Sequence, residues 1–168
     1  MSELLQTYLP NVYQLGWTGD AGWGLAIWNT LYMTVVPFIV GGAIGLFLGL
    51  MLVLMGPNGV IENKAVCWVL DKFTSIFRAI PFVILIAILA SFTYMIMGTT
   101  LGATAALVPL TFATFPFFAR QVQVVFSELD KGVIEAAQAS GATFWDIVKV
   151  YLGEGLPDLI RVSTVTLI

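Results

Sequence analysis

The stretch WGLAIWNTLYMTVVPFIVGGAIGLFLGLMLVLM, Trp23 to Met55, contains no Asp, Glu, Lys or Arg. As a helix its roughly 33 residues would reach about 50 Å at 1.5 Å per residue. A hydrocarbon core about 30 Å thick needs only about 20. The run therefore predicts a membrane-spanning helix that is tilted, or that begins and ends outside the hydrocarbon. Pro37 is a candidate kink. Gly41, Gly45 and Gly49 recur every four residues, with Gly42 beside them. In lipid, apolar burial does not drive helices together, whereas close backbone approach along a small-residue stripe does. The stripe predicts a packing groove for another helix of the same chain. A dimer contact or a translocation surface would use the same glycines.

The composition agrees. Of 168 residues 59% are hydrophobic and 10% charged, and the mean hydropathy is +0.95. A soluble domain carries about 25% charged residues, so the fold class is an all-α integral membrane protein with several spanning helices. The net charge of -3 argues against a nucleic-acid partner. With no His and Cys67 alone, an internal disulfide is impossible and the His/Cys metal patterns are absent. Catalysis lacks its parts too: no nucleophile–base pair and no intramembrane carboxylate cluster. No Lys or Arg precedes the first apolar run, so a cleavable signal peptide is not expected.

Outward from the first span, residues 1–22 read as an extracytoplasmic leader broken by Pro10, Gly16, Gly19 and Gly22. On the other side Gly56-Pro57-Asn58-Gly59 marks a turn. Glu62 to Arg78 carries Lys64, Asp71 and Lys72 and reads as an amphipathic helix lying at the interface. A second span follows from Ile80 to about Met97, with Pro81 near its start where a missing N–H costs least. Gly98–Gly102 is a short turn. A third span from about Ala103 to Phe126 contains Pro109 and Pro116, which free backbone carbonyls that Thr111 and Thr114 are placed to meet. This helix is either a kinked scaffold or a lining of the substrate path. A fourth apolar run begins near Leu156 and reaches only Ile168, about a dozen residues, too few to span; the chain is expected to stop within that helix. Met33, Met51, Met55, Met95 and Met97 read as gap fillers in apolar helices.

The seven basic residues are Lys64, Lys72, Arg78, Arg120, Lys131, Lys149 and Arg161. All lie in or at the edge of the two polar segments that share one side. The positive-inside rule places those segments in the cytoplasm and the N-terminus outside. Arg120 and Arg161 lie near helix ends, where a long stem lets the charge snorkel to the interface; a substrate-binding role is the alternative.

Residues 127–151 form the second polar segment. Asp130 is placed to cap a helix through about Ser140 whose apolar side is Val133, Ile134 and Ala137. Gly141 is suited to end it. Thr143, with Asp146 three residues on, has the capping-box spacing for a second short helix with Phe144, Ile147, Val148 and Tyr151 on its apolar face. Ala136, Ala137, Ala139, Ser140 and Ala142 have little bulk, which suits a helix that sinks into a partner's groove; a plain connecting loop has the same composition.

Glu135-Ala136-Ala137 followed by Gly141, with Leu156-Pro157 downstream, resembles the EAA motif of ABC-importer permeases. IFRAIPFVIL (Ile76–Leu85), GTTLGATAALVPLTFATFPFFAR (Gly98–Arg120) and VIEAAQASGAT (Val133–Thr143) are similar to the methionine-uptake branch of that family. The similarity runs from about Gly24 to the end. Gly153 stands where a proline is common, and the spacing from Gly141 to Leu156-Pro157 is one residue short. The resemblance implies a type I importer permease fold with about five spanning helices, here reaching the fourth, and residues 23–168 as an incomplete transmembrane domain. It implies that Glu135, Ala136, Ala137, Ser140, Gly141, Ala142 and Thr143 couple the chain to a separate ATPase.

The implied assembly is a permease homodimer in the lipid of a bacterial inner membrane, with two ATP-binding subunits and an external, lipid-anchored substrate-binding protein. The chain has no phosphate loop of the G-x-x-x-x-G-K-[ST] kind, so ATP and Mg belong to the partner. The expected cargo is an amino acid, methionine first. A permease for another amino acid or small organic ligand, or a membrane scaffold with no transport role, would share these features apart from the partner it retains. No substrate-contact residue is named by the sequence.

Overall fold

The structure is a computed structural model. It describes residues 22–57 and 59–167, together with Tyr8, Pro10, Gly16 and Trp17. Most of the expected leader, Asn58 of the first turn and Ile168 lie outside the described residues. The elements from residue 22 onward are α1 (Trp23–Leu54), α2 (Lys64–Ala79), α3 (Phe82–Met97), α4 (Ala103–Ser127), α5 (Lys131–Ala139) and α6 (Phe144–Leu167).

Among the described residues α1 and α4 are each long and apolar enough to cross a membrane. Helices α2 and α3 qualify only together, as a span bent by 107° at Ile80-Pro81. The expected second span is thus a helix of 16 residues, about 24 Å long at 1.5 Å per residue, joined at a sharp angle to the amphipathic α2. The corner is a sequence effect. Ile80 and Pro81 are extended, at ψ 121° and 138°, because a proline disfavours helical geometry in the residue before it. Asn63 starts α2 by accepting the Val66 N–H at 3.2 Å.

Helix α4 is the hub, packing on α1, α2, α3 and α6. Its closest partner is α1, and the glycine stripe is the reason. A Cβ on Gly41 would meet the Thr111 carbonyl oxygen at 3.1 Å, one on Gly45 the Phe115 carbonyl at 2.8 Å, and one on Gly49 the Ala119 carbonyl at 2.6 Å. The stripe is therefore a groove for a helix of the same chain, as the first of the three sequence readings has it. Leu50, Leu54, Phe118, Val122, Val125 and Phe126 form the adjoining core, which Ile147, Val148, Tyr151 and Leu159 of α6 complete.

Three expectations change. The polar segment's second helix and the fourth apolar run are one helix: α6 passes Tyr151, Gly153, Gly155 and Pro157 without a break, with a buried face that packs on the α1–α4 core as far as Leu159. Arg120 has a specific partner that the sequence did not name: it pairs with Asp71 of α2 at 2.7 Å. Thr111 and Thr114 hydroxyls donate to the carbonyls of Leu107 at 2.7 Å and Leu110 at 2.8 Å. These are their own i−4 partners, not the carbonyls of Ala105 and Phe112 that Pro109 and Pro116 leave without an N–H. Arg161, at the exposed side of α6, pairs with Asp158 at 3.0 Å.

Candidate functional site

Three residues, Glu128 to Asp130, separate α4 from α5, so α5 is placed by the end of the hub helix. Asp130 starts it as the sequence predicts: its carboxylate accepts the Gly132 N–H at 2.8 Å. The helix buries none of its residues. Ile134 packs against the core and Ala137 is half-buried, while Val133, expected on the inner side, is exposed. Nine residues give too few turns to bury a wide stripe, and Ile134 and Ala137 are the pair that face inward.

The end of α5 is tightly specified. Gly141 has φ +80°. Its N–H donates to the Gln138 carbonyl at 3.0 Å, and the Ala142 N–H donates to the Ala137 carbonyl at 3.1 Å. This 5→2 and 6→1 pair is the Schellman arrangement, which requires a left-handed residue at the position Gly141 occupies. No side-chain or backbone atom lies within 4 Å of a Cβ built there, so the demand for glycine is purely conformational. The Ser140 hydroxyl donates to the Ala136 carbonyl at 2.9 Å.

The next helix begins with the expected capping box. The Thr143 N–H donates to Asp146 Oδ2 at 3.1 Å and the Thr143 hydroxyl to the same oxygen at 2.6 Å, while the Asp146 N–H donates to Thr143 Oγ1 at 3.4 Å. The Thr143 hydroxyl, then its N–H, and then Lys149 at 3.4 Å hold the Asp146 carboxyl below its ordinary value. The α6 side of the corner is anchored: Ile147, Val148 and Tyr151 are buried, and the Tyr151 ring meets Phe126 edge-on with centroids 5.6 Å apart.

The seven residues singled out from the sequence thus divide. Glu135, Ala136, Ser140, Gly141 and Thr143 are exposed; Ala137 and Ala142 turn half inward. The outward set, with Ala139, forms a surface of mostly short side chains, Glu135 excepted, around a fixed corner. Glu135 also lines a cavity of about 320 Å³ with Gln138, Lys131, Gln123 and the α1–α2 turn. That turn is pinned by the Ile61 N–H on the Leu54 carbonyl at 3.1 Å. Sequence reasoning missed this second wall, and it missed Trp145, which is 69% exposed beside the corner. An aromatic residue on the polar side of an otherwise regular apolar stripe was the available signal. A second cavity, about 400 Å³ and mainly apolar, lies between α1, α3 and α4 at Met33, Phe82, Ile86, Thr93, Leu101 and Pro109.

Residues 41–168 match the family model described as "Binding-protein-dependent transport system inner membrane component". The chain is 44% identical over 146 residues to the probable D-methionine transport system permease protein MetI of Pasteurella multocida, covering 86% of this chain and 67% of that one. It is 43% identical over 143 residues to the D-methionine transport system permease protein MetI of Escherichia coli K12, covering 84% and 66%. The chain therefore spans about two thirds of the length of these relatives. Its fold matches a solved chain from inward-facing conformations of the MetNI methionine ABC transporter, with a TM-score of 0.83 and 40% identity over 89% of this chain and 71% of that one.

Proposed function

The chain belongs to the binding-protein-dependent transport system inner membrane components, and from that membership we propose that it is the permease subunit of an ATP-driven importer that carries methionine. The observation that carries the reading is the α5 corner: a rigid, small-residue helix with Glu135, Ala136, Ser140 and Gly141 exposed, three residues from the end of the central helix. A partner can seat such a surface in a groove and move it as a rigid lever. The ATPase is that partner. When it binds ATP and closes, α5 follows, α4 follows α5, and the packed helices rock between inward-open and outward-open arrangements, discrete packings being what rigid elements allow. Two permease copies, two ATPases and an external binding protein complete the machine, with the corner in the cytoplasm and the N-terminus outside. ATP and Mg act in the partner.

The experiment is to express the chain with its neighbouring genes, purify the assembly through the permease, and measure ATPase retention, ATP hydrolysis and methionine uptake in proteoliposomes. The wild type is expected to retain the ATPase and take up methionine. Gly141→Arg is expected to lose the ATPase, or to keep hydrolysis while losing uptake. Normal retention and uptake in that variant would defeat the docking role. Retained ATPase and uptake of another amino acid without uptake of methionine would move the cargo assignment.

A further inference from the structure

We infer that the Asp71–Arg120 pair is a positioning contact that makes α2, α3 and α4 travel as one body when α5 is displaced; this rests on the coupling role proposed for α5. The pairs Lys64–Glu62, Lys149–Asp146 and Arg161–Asp158 join near neighbours in sequence. Asp71–Arg120 joins residues 49 apart, across two helices. Its two side chains are only 34% and 30% exposed, so solvent screens the pair less than it screens the others. The guanidinium is held on three sides: Nη2 donates to Asp71 Oδ1 at 2.7 Å and to Ser75 Oγ at 3.3 Å, and Nη1 donates to Gln123 Oε1 at 2.6 Å. A planar donor fixed in this way specifies register as well as proximity. Sliding α2 along α4 by one turn would break the Asp71 and Ser75 bonds together and leave a charge in an apolar span, where it is costly.

The contact sits beside an aromatic cluster that crosses the α2–α3 corner. Phe73 of α2 stacks on Phe115 of α4 with centroids 6.0 Å apart, and Phe77 meets the same ring at a tilt, 5.6 Å away. Phe77 also meets Phe112 at 6.0 Å, and Phe92 of α3 meets Phe112 at 5.8 Å. Thr74, between Asp71 and Phe77, is fully buried. The apolar rings give adhesion without a fixed register; the ion pair supplies the register. Arg120 lies seven residues before the end of α4, so a pull on α5 reaches it about 10 Å along the same helix. From there it passes to α2 and, through the 107° corner, to α3.

The test uses the complete importer with Asp71→Arg, Arg120→Asp and the double exchange D71R/R120D. ATPase retention, ATP hydrolysis and methionine uptake in proteoliposomes are measured on each. Each single reversal is expected to keep the ATPase and its hydrolysis while uptake falls at least tenfold, and the exchange is expected to restore most of the uptake. Wild-type uptake in an assembled single reversal overturns the inference. So does an assembled exchange that transports as poorly as the singles, since the inference requires the paired charges and not the individual side chains. If a reversal does not assemble, Asp71→Asn keeps the shape and removes the charge. It is expected to lower uptake per ATP hydrolysed, and an unchanged ratio overturns the inference. Failure of the unaltered chain to retain the ATPase sinks the coupling role and this inference together, whereas the other outcomes bear on this pair alone.

Discussion

Gly49 of α1 lies so close to Val122 of α4 that a methyl group built on the glycine would sit 2.6 Å from the valine Cβ. The Ala119 carbonyl oxygen is equally close, and a backbone atom inside a helix cannot swing aside. Gly45 repeats the geometry against the Phe115 carbonyl at 2.8 Å. Gly49→Ala and Gly45→Ala are therefore expected to push α1 off α4, at the overpacking cost of about 1–3 kcal/mol. They should lower the melting temperature of the detergent-purified protein. Gly42, whose nearest neighbours would be 4.0 Å away, is the control. Gly42→Ala is expected to leave the melt unchanged or raise it slightly, since alanine is the better helix former by about 1 kcal/mol.

At Gly141 the constraint is different, and so is the expected ranking. With open space around the position and φ at +80°, size should matter little to folding and backbone preference should matter most. Gly141→Ala is expected to cost about 1–2 kcal/mol, the penalty of a left-handed L-residue. Gly141→Asn should cost less, because asparagine tolerates that region. Melting temperatures would show the order Gly, Asn, Ala. If ATPase retention followed side-chain bulk rather than this order, contact with the partner, and not the corner's shape, would be the controlling factor.

The capping box makes a pH prediction. Thr143 and Lys149 hold the Asp146 carboxyl below its ordinary 3.8. A group whose folded value is depressed contributes stability that is present above the unfolded value and lost as pH falls through the folded one. The start of α6 should therefore be insensitive to pH near neutrality and loosen only below 3.8. Hydrogen exchange at Thr143, measured as a function of pH in wild type and Asp146→Asn, would show it. The wild type is expected to lose protection on acidification. The variant should lack that acid step and be less protected at neutral pH.

What could be read in advance was what local chemistry decides. The caps at Asp130 and Thr143, the glycine end at Gly141 and the glycine stripe each depend on residues within one or two turns, or on a rule of packing in lipid that has few alternatives. What could not be read was non-local. Nothing near Arg120 names Asp71, 49 residues away, and charge alone fits a snorkelling arginine equally well. The hydroxyls of Thr111 and Thr114 bond the i−4 carbonyls of their own turns, a choice set by helix geometry and not by where the prolines stand. The α1–α2 turn beside Glu135 became part of the site only through the docking of α4 on α1. Continuity of α6 was hidden by Gly153, Gly155 and Pro157, each a breaker by propensity and each overruled by the packing of Tyr151 and Leu159 on the core.

Those two glycines in α6 separate propensity from packing. A Cβ on Gly155 would lie 2.7 Å from Phe126 Cε1 and 3.0 Å from Cδ1. Phe126 is itself only 2% exposed and held edge-on by Tyr151, so its ring has no free direction to move. Gly153, two residues earlier and on the far side of the helix, has nothing within 4 Å. Gly153→Ala is expected to stabilise by up to about 1 kcal/mol, the helix-propensity difference. Gly155→Ala gains the same propensity but must displace a buried ring, at about 1–3 kcal/mol, and so is expected to lower the melting temperature. Adding Phe126→Leu to Gly155→Ala removes the atoms in conflict. The double variant should melt above the sum of the two single changes, because residues in direct contact do not contribute additively. A strictly additive cycle would mean that α6 does not pack on α4 at this point, and its passage through Pro157 as one helix would lose its physical cause.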